Sequence, residues 1–223
     1  MKNEPVKIKS IQHITHDVLQ IVTEKPFDAD FTPGQATEIF IDKKGWQNQG
    51  RPFTFTCLPK DDHLEFTIKA YPDRKGVTNE LLSLKAGDGL IVNDIFGAIE
   101  YKGDGVFIAG GAGVTPFISI LRDLNEKGNL GINKLVFANK TKADIILKGE
   151  FTEMLGDNFI NILSDEKTEE YDYGQISEDF IKSHTDHSGS YFYLCGPPPM
   201  MDAVEKQLAN LNVPTDRIVK EEF

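Results

Sequence analysis

The spacing of apolar residues changes near the middle of the chain, and this change restricts the fold more than any other feature. In LEFTIKAY, residues 64–71, apolar and polar side chains alternate. This period of two predicts a half-buried strand, with Leu64 on the covered face and Glu65 on the open one. VLQIVTE, ATEIFID, RPFTFTCL and DGLIVND have similar patterns, and Gly and Pro separate them. Residues 5–100 are therefore predicted to form an antiparallel sandwich or a closed barrel, with one helix at TNELLSL after Gly76.

The second half contains short apolar runs, VFIAG, KLVFAN, NFINIL and SYFYLC, which are typical of strands buried on both faces of a parallel sheet. Helical patterns separate them: TPFISILRDLNEKG, ADIILKGEFTEML, ISEDFIKSH and PPMMDAVEKQLANL. Alternating strands and helices indicate βαβ units. We place the boundary in AIEYKGDG, residues 98–105. The fold prediction is thus an antiparallel β-barrel over residues 1–100, followed by a doubly wound α/β nucleotide-binding domain over residues 101–223, with ligands at the carboxyl ends of its strands.

Composition and charge exclude several classes of function. The 223 residues carry a net charge of −11, which argues against non-specific nucleic-acid binding. No apolar run approaches the roughly 18–20 residues of a membrane span. MKNEPVKIKS lacks the apolar core of a signal peptide, so we expect a cytoplasmic protein without a membrane span. Two cysteines are too few for a disulfide framework or a four-cysteine cluster, and no metal site is predicted. The sequence does not indicate the oligomeric state.

The stretch VFIAGGAGVTPFISILRDL, residues 106–124, combines a strand, a glycine-rich turn and a helix start. Thr115 is placed to cap the helix, and Pro116 suits its first turn. A helix N-terminus reached through glycines binds phosphate readily. A plain strand–helix turn has the same pattern, and Pro116 stands where the usual dinucleotide fingerprint has Gly or Ala. Both interpretations remain open on these residues alone.

Three further segments each allow two interpretations. RPFTFT, residues 51–56, has two interpretations. In one, the Arg pairs with a phosphate while an aromatic ring stacks on a planar cofactor. In the other, the Arg lies on an edge strand beside core aromatics. KGVTNEL, residues 75–81, is an anion site or a helix cap. In YLCGPPPMMDAV, residues 193–204, a strand ends in Cys-Gly and prolines follow. The prolines either only begin the next helix or belong to a cofactor site.

Taken in order, the motifs resemble those of the ferredoxin–NADP reductase superfamily of flavin-dependent reductases. They are RPFT at 51–54, GVT at 76–78, GGAGVTP at 110–116, CGPPPM at 195–200 and a terminal EEF. The chain looks most like NADH-dependent cytochrome reductases and the flavin reductase domains of oxygenase systems, because residues 139–147 have the N-x-T-x-x-D-I-x-L pattern of that branch. The resemblance implies a flavin-binding barrel before a nucleotide-binding domain. It also implies FAD, with FMN as the alternative, and NADH or NADPH as the electron donor.

The resemblance also implies residue roles. Arg51 would pair with the flavin phosphates, Phe53 would lie against the isoalloxazine, and Thr54 would hydrogen-bond near flavin N5. Cys195 would help to place the nicotinamide ring, and Phe223 would cover the flavin until nicotinamide displaces it. The implied catalytic residues are Thr54, Cys195 and Phe223. The implied cofactor-binding residues are Arg51, Pro52, Phe53, Thr54, Ile68, Lys69, Tyr71, Gly76, Val77, Thr78, Gly111, Gly113, Thr115, Pro116, Asp144, Cys195, Gly196, Pro197 and Phe223.

Two positions bear on cofactor recognition. Phe53 stands where the family usually has Tyr, so a hydroxyl contact is lost while stacking survives. Asp144 matches an acidic position of the NADH-using branch, and a carboxylate near the ribose 2′-hydroxyl repels a 2′-phosphate. Lys140 and Lys142 lie nearby in sequence and could attract that phosphate instead. NADH is therefore favoured over NADPH.

The expected function is a flavoprotein reductase that transfers a hydride from NAD(P)H to FAD and then electrons to a separate acceptor. The acceptor is expected to be a ferredoxin, a flavodoxin, a cytochrome or a small molecule, since no cysteine cluster flanks the two domains. One alternative is a non-enzymatic flavin-binding electron-transfer subunit of a larger complex. Another is a flavin-free dinucleotide-binding protein.

Overall fold

The computed structural model describes residues 2–97, 99–185 and 189–220, and the chain divides into two compact units. The first unit comprises residues 1–100 together with 115–123, and the second comprises residues 101–114 and 124–223. The chain therefore enters the second unit, contributes part of one helix to the first unit, and then returns.

Six antiparallel strands form the sheet of the first unit, in the order β4-β3-β6-β1-β2-β5. They are β1 (Glu4–His13), β2 (Val18–Glu24), β3 (Ala36–Ile41), β4 (Arg51–Thr54), β5 (His63–Lys69) and β6 (Gly89–Phe96). The two outer strands meet where Phe55, just after β4, bridges antiparallel to Phe66 of β5. The next pair continues the register, since Thr56 N donates to Glu65 O at 2.8 Å. This closure confirms the predicted antiparallel β-barrel.

The helix predicted after Gly76 is confirmed, as helix α1 (Val77–Glu80) and a following 3₁₀ turn, Leu81–Ser83. Val77 is 1% exposed and Leu81 is fully buried, and both belong to the apolar core inside the barrel. The core thus fixes the start of this short helix.

Strand β5 is not half-buried, and the expectation from its alternating pattern is wrong. Glu65 and Thr67, on the face predicted to be open, are only 8% and 4% exposed. The cost of burying the Glu65 carboxylate is offset because it accepts hydrogen bonds from Gln20, Thr56 and Arg122.

The second unit contains six strands, parallel throughout, in the order β10-β9-β8-β7-β11-β12. They are β7 (Gly105–Gly110), β8 (Lys134–Asn139), β9 (Phe159–Leu163), β10 (Asp172–Tyr173), β11 (Tyr191–Cys195) and β12 (Ile218–Lys220). The order confirms a doubly wound sheet, whose direction of winding reverses between β7 and β11. The sequence patterns missed β10 and β12, since two or three residues are too few to show a period.

Among the described residues after β7, the α-helices are α2 (Thr115–Glu126), most of which belongs to the first unit, α3 (Lys148–Leu155), α4 (Glu178–His184) and α5 (Pro198–Asn210). Helix α3 is shorter than predicted because Leu147, its N-cap, has a left-handed backbone with φ 52°. That residue separates α3 from the 3₁₀ turn Lys142–Asp144, so ADIILKGEFTEML is two elements. In the described part of the chain, no helix has both the length and the apolar character to cross a bilayer.

Candidate functional site

The two nucleotide-loop motifs of the second unit lie side by side at the point where the winding reverses. Strands β7 and β11 are direct neighbours, with Ala109 opposite Cys195. After β7 the chain forms a 3₁₀ turn, Gly111–Val114, and after β11 it continues into Gly196 and Pro197. Ligands of open α/β sheets bind at the carboxyl ends of the strands at such a reversal. The structure therefore brings the GGAG and CGP motifs together at the position expected for a nucleotide.

The glycines of the first loop are required for different reasons. A Cβ on Gly113 would lie 2.2 Å from Cys195 O, 2.5 Å from Cys195 C and 2.7 Å from Gly196 Cα. Gly113 is thus needed for the packing of one loop on the other. Gly111 has φ +52°, and a Cβ there would meet nothing within 4 Å. Open space beside a left-handed glycine is what a close-lying ligand requires, so Gly111 fits the predicted contact better than Gly113 does.

Helix α2 begins at Thr115, directly after the 3₁₀ turn, so Thr115 is its first residue and not the residue before it. Because the 3₁₀ turn continues into α2, the N–H groups without a partner within this helical run lie at the start of the turn, at Gly111 and Ala112, and form its positive end. Pro116 has no N–H, and it suits the first turn for that reason. The loop and the helix start therefore suit a pyrophosphate, and the roles of Thr115 and Pro116 remain predictions.

The carboxylate of Asp144 is engaged in its own turn. Its Oδ2 accepts Thr141 N at 2.9 Å and Thr141 Oγ1 at 2.7 Å. The first of these bonds forms a capping box with the Asp144 backbone N–H, which donates to the Thr141 side chain. Lys142 is occupied by a different acid, since its N donates to Glu166 Oε2 at 2.7 Å and its Nζ lies 3.7 Å from Glu166 Oε1. The sequence interpretation assigned Asp144 to the ribose alone, whereas the structure gives it a local structural role as well.

In the first unit, the RPFT motif forms strand β4, which pairs with β3. Arg51 and Pro52 are exposed, whereas Phe53 and Thr54 are partly buried and Phe53 packs against the barrel core. Strand β4 also contacts β5. The antiparallel bridge between Phe55 and Phe66 joins the end of the RPFT segment to β5. Two segments of the predicted flavin site thus lie on adjoining strands.

The GVT motif offers backbone donors beside open space. Gly76 is the N-cap of α1 in an extended conformation, without a side-chain cap bond. A Cβ on Gly76 would meet nothing within 4 Å. Val77 anchors the turn in the core, and Thr78 follows it in the first turn. The amides at this helix start therefore remain for an anion to bind.

Cationic and aromatic groups are found at the end of β5. Lys69 Nζ lies 2.7 Å from Asp17 Oδ2. The Tyr71 ring is 39% exposed, and the Arg74 guanidinium lies 4.8 Å from its centre. Arg51 and Arg74 supply positive charge, the Val77 and Thr78 amides supply donors, and Tyr71 supplies a planar stacking surface. The residues present fit FAD.

The predicted residues close to the nicotinamide are only partly described. Cys195 ends β11 and is partly exposed. Phe223 lies outside the described residues. The other cysteine, Cys57, is 1% exposed, and burial raises the pKa of its thiol to about 11. Cys57 is therefore neutral at ordinary pH and belongs to the barrel core.

Sequence reasoning missed a polar cluster around Glu65. Arg122 of α2 donates through one nitrogen to Glu65 Oε1 at 2.6 Å and to Thr56 O at 2.7 Å. The available signal was the spacing Thr115, Ser119 and Arg122 in a helix that is otherwise largely apolar. Residues at i, i+4 and i+7 lie on one helix face, so they form a polar stripe there.

Two family models match the chain in sequence order. The FAD-binding domain matches residues 3–96, and the oxidoreductase NAD-binding domain matches residues 107–206. The first range contains RPFT and GVT, and the second contains GGAGVTP and CGPPPM.

Curated relatives and solved structures agree with this assignment. The chain is 30% identical over 237 residues to the reductase component of propane 2-monooxygenase from Mycolicibacterium smegmatis, with 97% of this chain and 66% of the relative covered. It is 28% identical over 221 residues to NADH-cytochrome b5 reductase 2 from Mycosarcoma maydis, with 88% and 62% covered. The chain thus spans about two thirds of the length of these relatives. A ferredoxin NADP⁺ reductase from Neisseria gonorrhoeae, solved with bound FAD and NADP, superposes with a TM-score of 0.84 at 18% identity over 98% of this chain and 97% of that one.

Proposed function

Since the chain belongs to the ferredoxin–NADP reductase superfamily, we propose that it is a flavoprotein reductase, in which bound FAD accepts a hydride from NADH and passes electrons to a separate acceptor. One observation carries the proposal. The Gly76 motif of the first unit lies in the range that matches the FAD-binding family model, and the Gly111 motif of the second unit lies in the range that matches the NAD-binding model; both place a glycine beside open space next to a helical turn. A protein that bound one nucleotide would need only one of them.

The residues of the first unit bind and orient the flavin in this proposal. The exposed Arg51 pairs with the pyrophosphate, and the amides of Val77 and Thr78 donate to it. Phe53, held by the core on one side, presents its ring to the cofactor. Thr54 supplies a hydroxyl at the end of β4. These groups act by positioning and by electrostatics.

The residues of the second unit hold the nicotinamide nucleotide. Gly111 lets the nucleotide approach the backbone, and the packing of Gly113 on Cys195 fixes the two loops to each other. Cys195, Gly196 and Pro197 then orient the nicotinamide ring. The proposed coenzyme is NADH, which one of the relatives has in its name. Asp144 is the residue proposed to disfavour a 2′-phosphate.

The electron acceptor is proposed to be a separate protein or small molecule. Among the relatives are the reductase component of a monooxygenase and a cytochrome b5 reductase. An oxygenase component, a cytochrome, a ferredoxin or a flavodoxin are therefore the acceptors to compare first.

Anaerobic mixing of the FAD-loaded protein with NADH tests the proposal. We expect the visible flavin absorbance to bleach within seconds. An oxidised spectrum that persists for minutes would favour a non-enzymatic electron-transfer subunit, and a protein that stays colourless after incubation with FAD would contradict flavin binding. Arg51→Ala should weaken FAD binding by at least tenfold, because charge-assisted contacts contribute about 1.5–3 kcal/mol. Lys182→Ala, at an exposed pair with Glu178 on α4, is the matched control and should bind FAD normally.

A further inference from the structure

A buried ion pair ties helix α2 to the barrel strands. Arg122 and Glu65 approach to 2.6 Å, with side chains 20% and 10% exposed. The pair is fully integrated in hydrogen bonds. Glu65 Oε1 also accepts Thr56 Oγ1 at 2.8 Å, and Glu65 Oε2 accepts Gln20 Nε2 at 2.9 Å. All of these residues belong to the first unit.

A second bond joins the same face of the helix to the barrel unit. Gly34 N donates to Ser119 Oγ at 3.0 Å, and Ser119 is fully buried. The space beside Gly34 is closed, because a Cβ there would lie 2.3 Å from Ile99 O and 3.0 Å from Ile120 Cδ1. Helix α2 is therefore held at two levels, Ser119 and Arg122, one turn apart.

Both barrel partners of Arg122 are close in sequence to the proposed flavin site. Thr56 O, which accepts from Arg122, is two residues beyond Thr54 of the RPFT motif. Glu65 lies on β5, the strand that ends at Ile68 and Lys69. The opposite end of the same helix stripe is Thr115, where the GGAG loop meets α2.

A buried ion pair is poor evidence for stability, because the cost of desolvating two charges offsets their attraction. Its best-attested use is to fix the register of one element against another. A neutral apolar contact would cover the same surface, but it would tolerate sliding and rotation. The bonds of Arg122 to a backbone carbonyl and to a carboxylate restrict the height and rotation of the helix more than such a contact would.

We propose that the Glu65–Arg122 pair is a positioning device, which sets where the N-terminus of α2 stands relative to the RPFT strand and so places the nicotinamide nucleotide for reaction. This inference rests on the proposed function. It adds no chemical step, and neither residue touches a reacting atom.

The geometry gives the scale of the effect. Thr115 and Arg122 are separated by about 10 Å of helix at about 1.5 Å per residue. A tilt of about 5° at Arg122 would move Thr115 by roughly 1 Å over that length. A displacement of about 1 Å from a reactive geometry costs on the order of 10²-fold in rate.

The test replaces the pair without leaving a lone buried charge. Glu65→Met with Arg122→Met fills similar volume with apolar side chains and leaves no lone charge. It does remove hydrogen bonds from Thr56 and Gln20, which lowers stability. Arg122→Lys is a second variant that keeps the charge but replaces the rigid guanidinium, one nitrogen of which makes both bonds, with a flexible ammonium group. The control is Glu178→Met with Lys182→Met, the same change in an exposed pair.

Three quantities are measured on the FAD-loaded protein: the limiting rate of flavin reduction at saturating NADH, the Kd for NAD⁺, and hydrogen exchange of the amides in residues 112–118. We expect the double Met variant to lose about tenfold or more in the limiting rate, with FAD content close to wild type. Its Tm should fall by a few degrees, because Thr56 and Gln20 lose hydrogen-bond partners. Its Kd for NAD⁺ should stay within threefold, and exchange at 112–118 should be faster. Arg122→Lys should show an intermediate rate, and the control should match wild type within twofold.

Two results would overturn the inference. One is a limiting rate within twofold of wild type with unchanged exchange at 112–118. The other is a rate loss explained entirely by lost FAD or lost fold, with Arg122→Lys behaving as wild type. If NADH does not reduce the wild-type protein, the proposed function fails. The exchange measurement still decides whether the pair holds the start of α2.

Discussion

Gly113→Ala should damage the protein through its fold before it affects any ligand. The new Cβ would lie 2.2 Å from Cys195 O and 2.5 Å from Cys195 C. Ordinary contacts of this kind are longer by more than 1 Å, and both atoms are backbone atoms of a paired strand. Relief requires β11 or the 111–114 turn to move, and a change of rotamer cannot supply it.

The magnitude follows from this geometry. Overpacking a well-filled site costs about 1–3 kcal/mol and sometimes more, and the rigid backbone at Cys195 places this substitution at about 3 kcal/mol. For a chain of this size, about 1 kcal/mol corresponds to roughly 2–4 °C in Tm. Gly113→Ala should therefore lower Tm by about 6–12 °C.

Two glycines of the same unit serve as controls. Gly111→Ala meets nothing within 4 Å but must adopt φ +52°, which costs about 1 kcal/mol and lowers Tm by about 2–4 °C. Gly149→Ala, in the first turn of α3 with nothing within 4 Å, should leave Tm unchanged or raise it slightly. Thermal unfolding followed by circular dichroism measures all three, and isothermal titration measures NAD⁺ binding. A Gly113→Ala protein with normal Tm and lost NAD⁺ binding would refute the packing argument, because the glycine would then serve the ligand alone.

Two further predictions concern Asp144 and Cys57. Asp144→Ala and Thr141→Ala both remove the capping box, so each should lower the free energy of unfolding by about 1 kcal/mol. Only Asp144→Ala should raise kcat/KM for NADPH relative to that for NADH. If the two variants have the same ratio of kcat/KM values, the proposed contact of Asp144 with the ribose is contradicted. The Cys57 thiol has its pKa raised from 9.0 to about 11 by burial, so the native state keeps a proton that the unfolded state loses; wild type should lose about 2–3 kcal/mol from this group between pH 9 and 11. The hydroxyl of Cys57→Ser does not titrate in this pH range, so the free energy of unfolding of this variant, measured in urea, should fall by that much less than that of wild type. If the two proteins lose the same stability between pH 9 and 11, the raised pKa of Cys57 is contradicted.

The two-domain fold was predictable because its signals are local. A period of two, short apolar runs and glycine-rich turns each occupy fewer than about ten residues, and the element types followed from them. The limits of this approach appear where a partner is distant. Glu65 fits the alternating pattern of an open strand face, yet Arg122, 57 residues away, covers it. Leu147 adopts a left-handed backbone that the apolar pattern of ADIILKGEF does not reveal.

The candidate site shows the same division at the level of single residues. The order of the motifs predicted which segments meet, and the pairing of β7 with β11 brings two of them together. The motif could not say which glycine faces a ligand, because that depends on the carbonyl of Cys195, far away in the chain. The sequence pattern likewise assigned Asp144 only to the ribose, whereas the structure also shows its carboxylate bonded to Thr141, three residues earlier.

A glycine-rich motif therefore reports two requirements at once, close packing of protein on protein and close approach of a ligand. In this chain Gly113 meets the first requirement, and Gly111, two residues before it, is the residue proposed to meet the second. The polar stripe of α2 shows the converse case, in which residues that resemble ordinary helix surface are buried to hold the helix that follows the motif. Ligand recognition at such a site depends on where the loop is held as much as on the loop itself. Mutations at Gly113 and Arg122 should thus change the rate of the nucleotide reaction without removing any contact to the nucleotide. Measurements of activity alone would not distinguish residues that hold the loop from residues that contact the nucleotide.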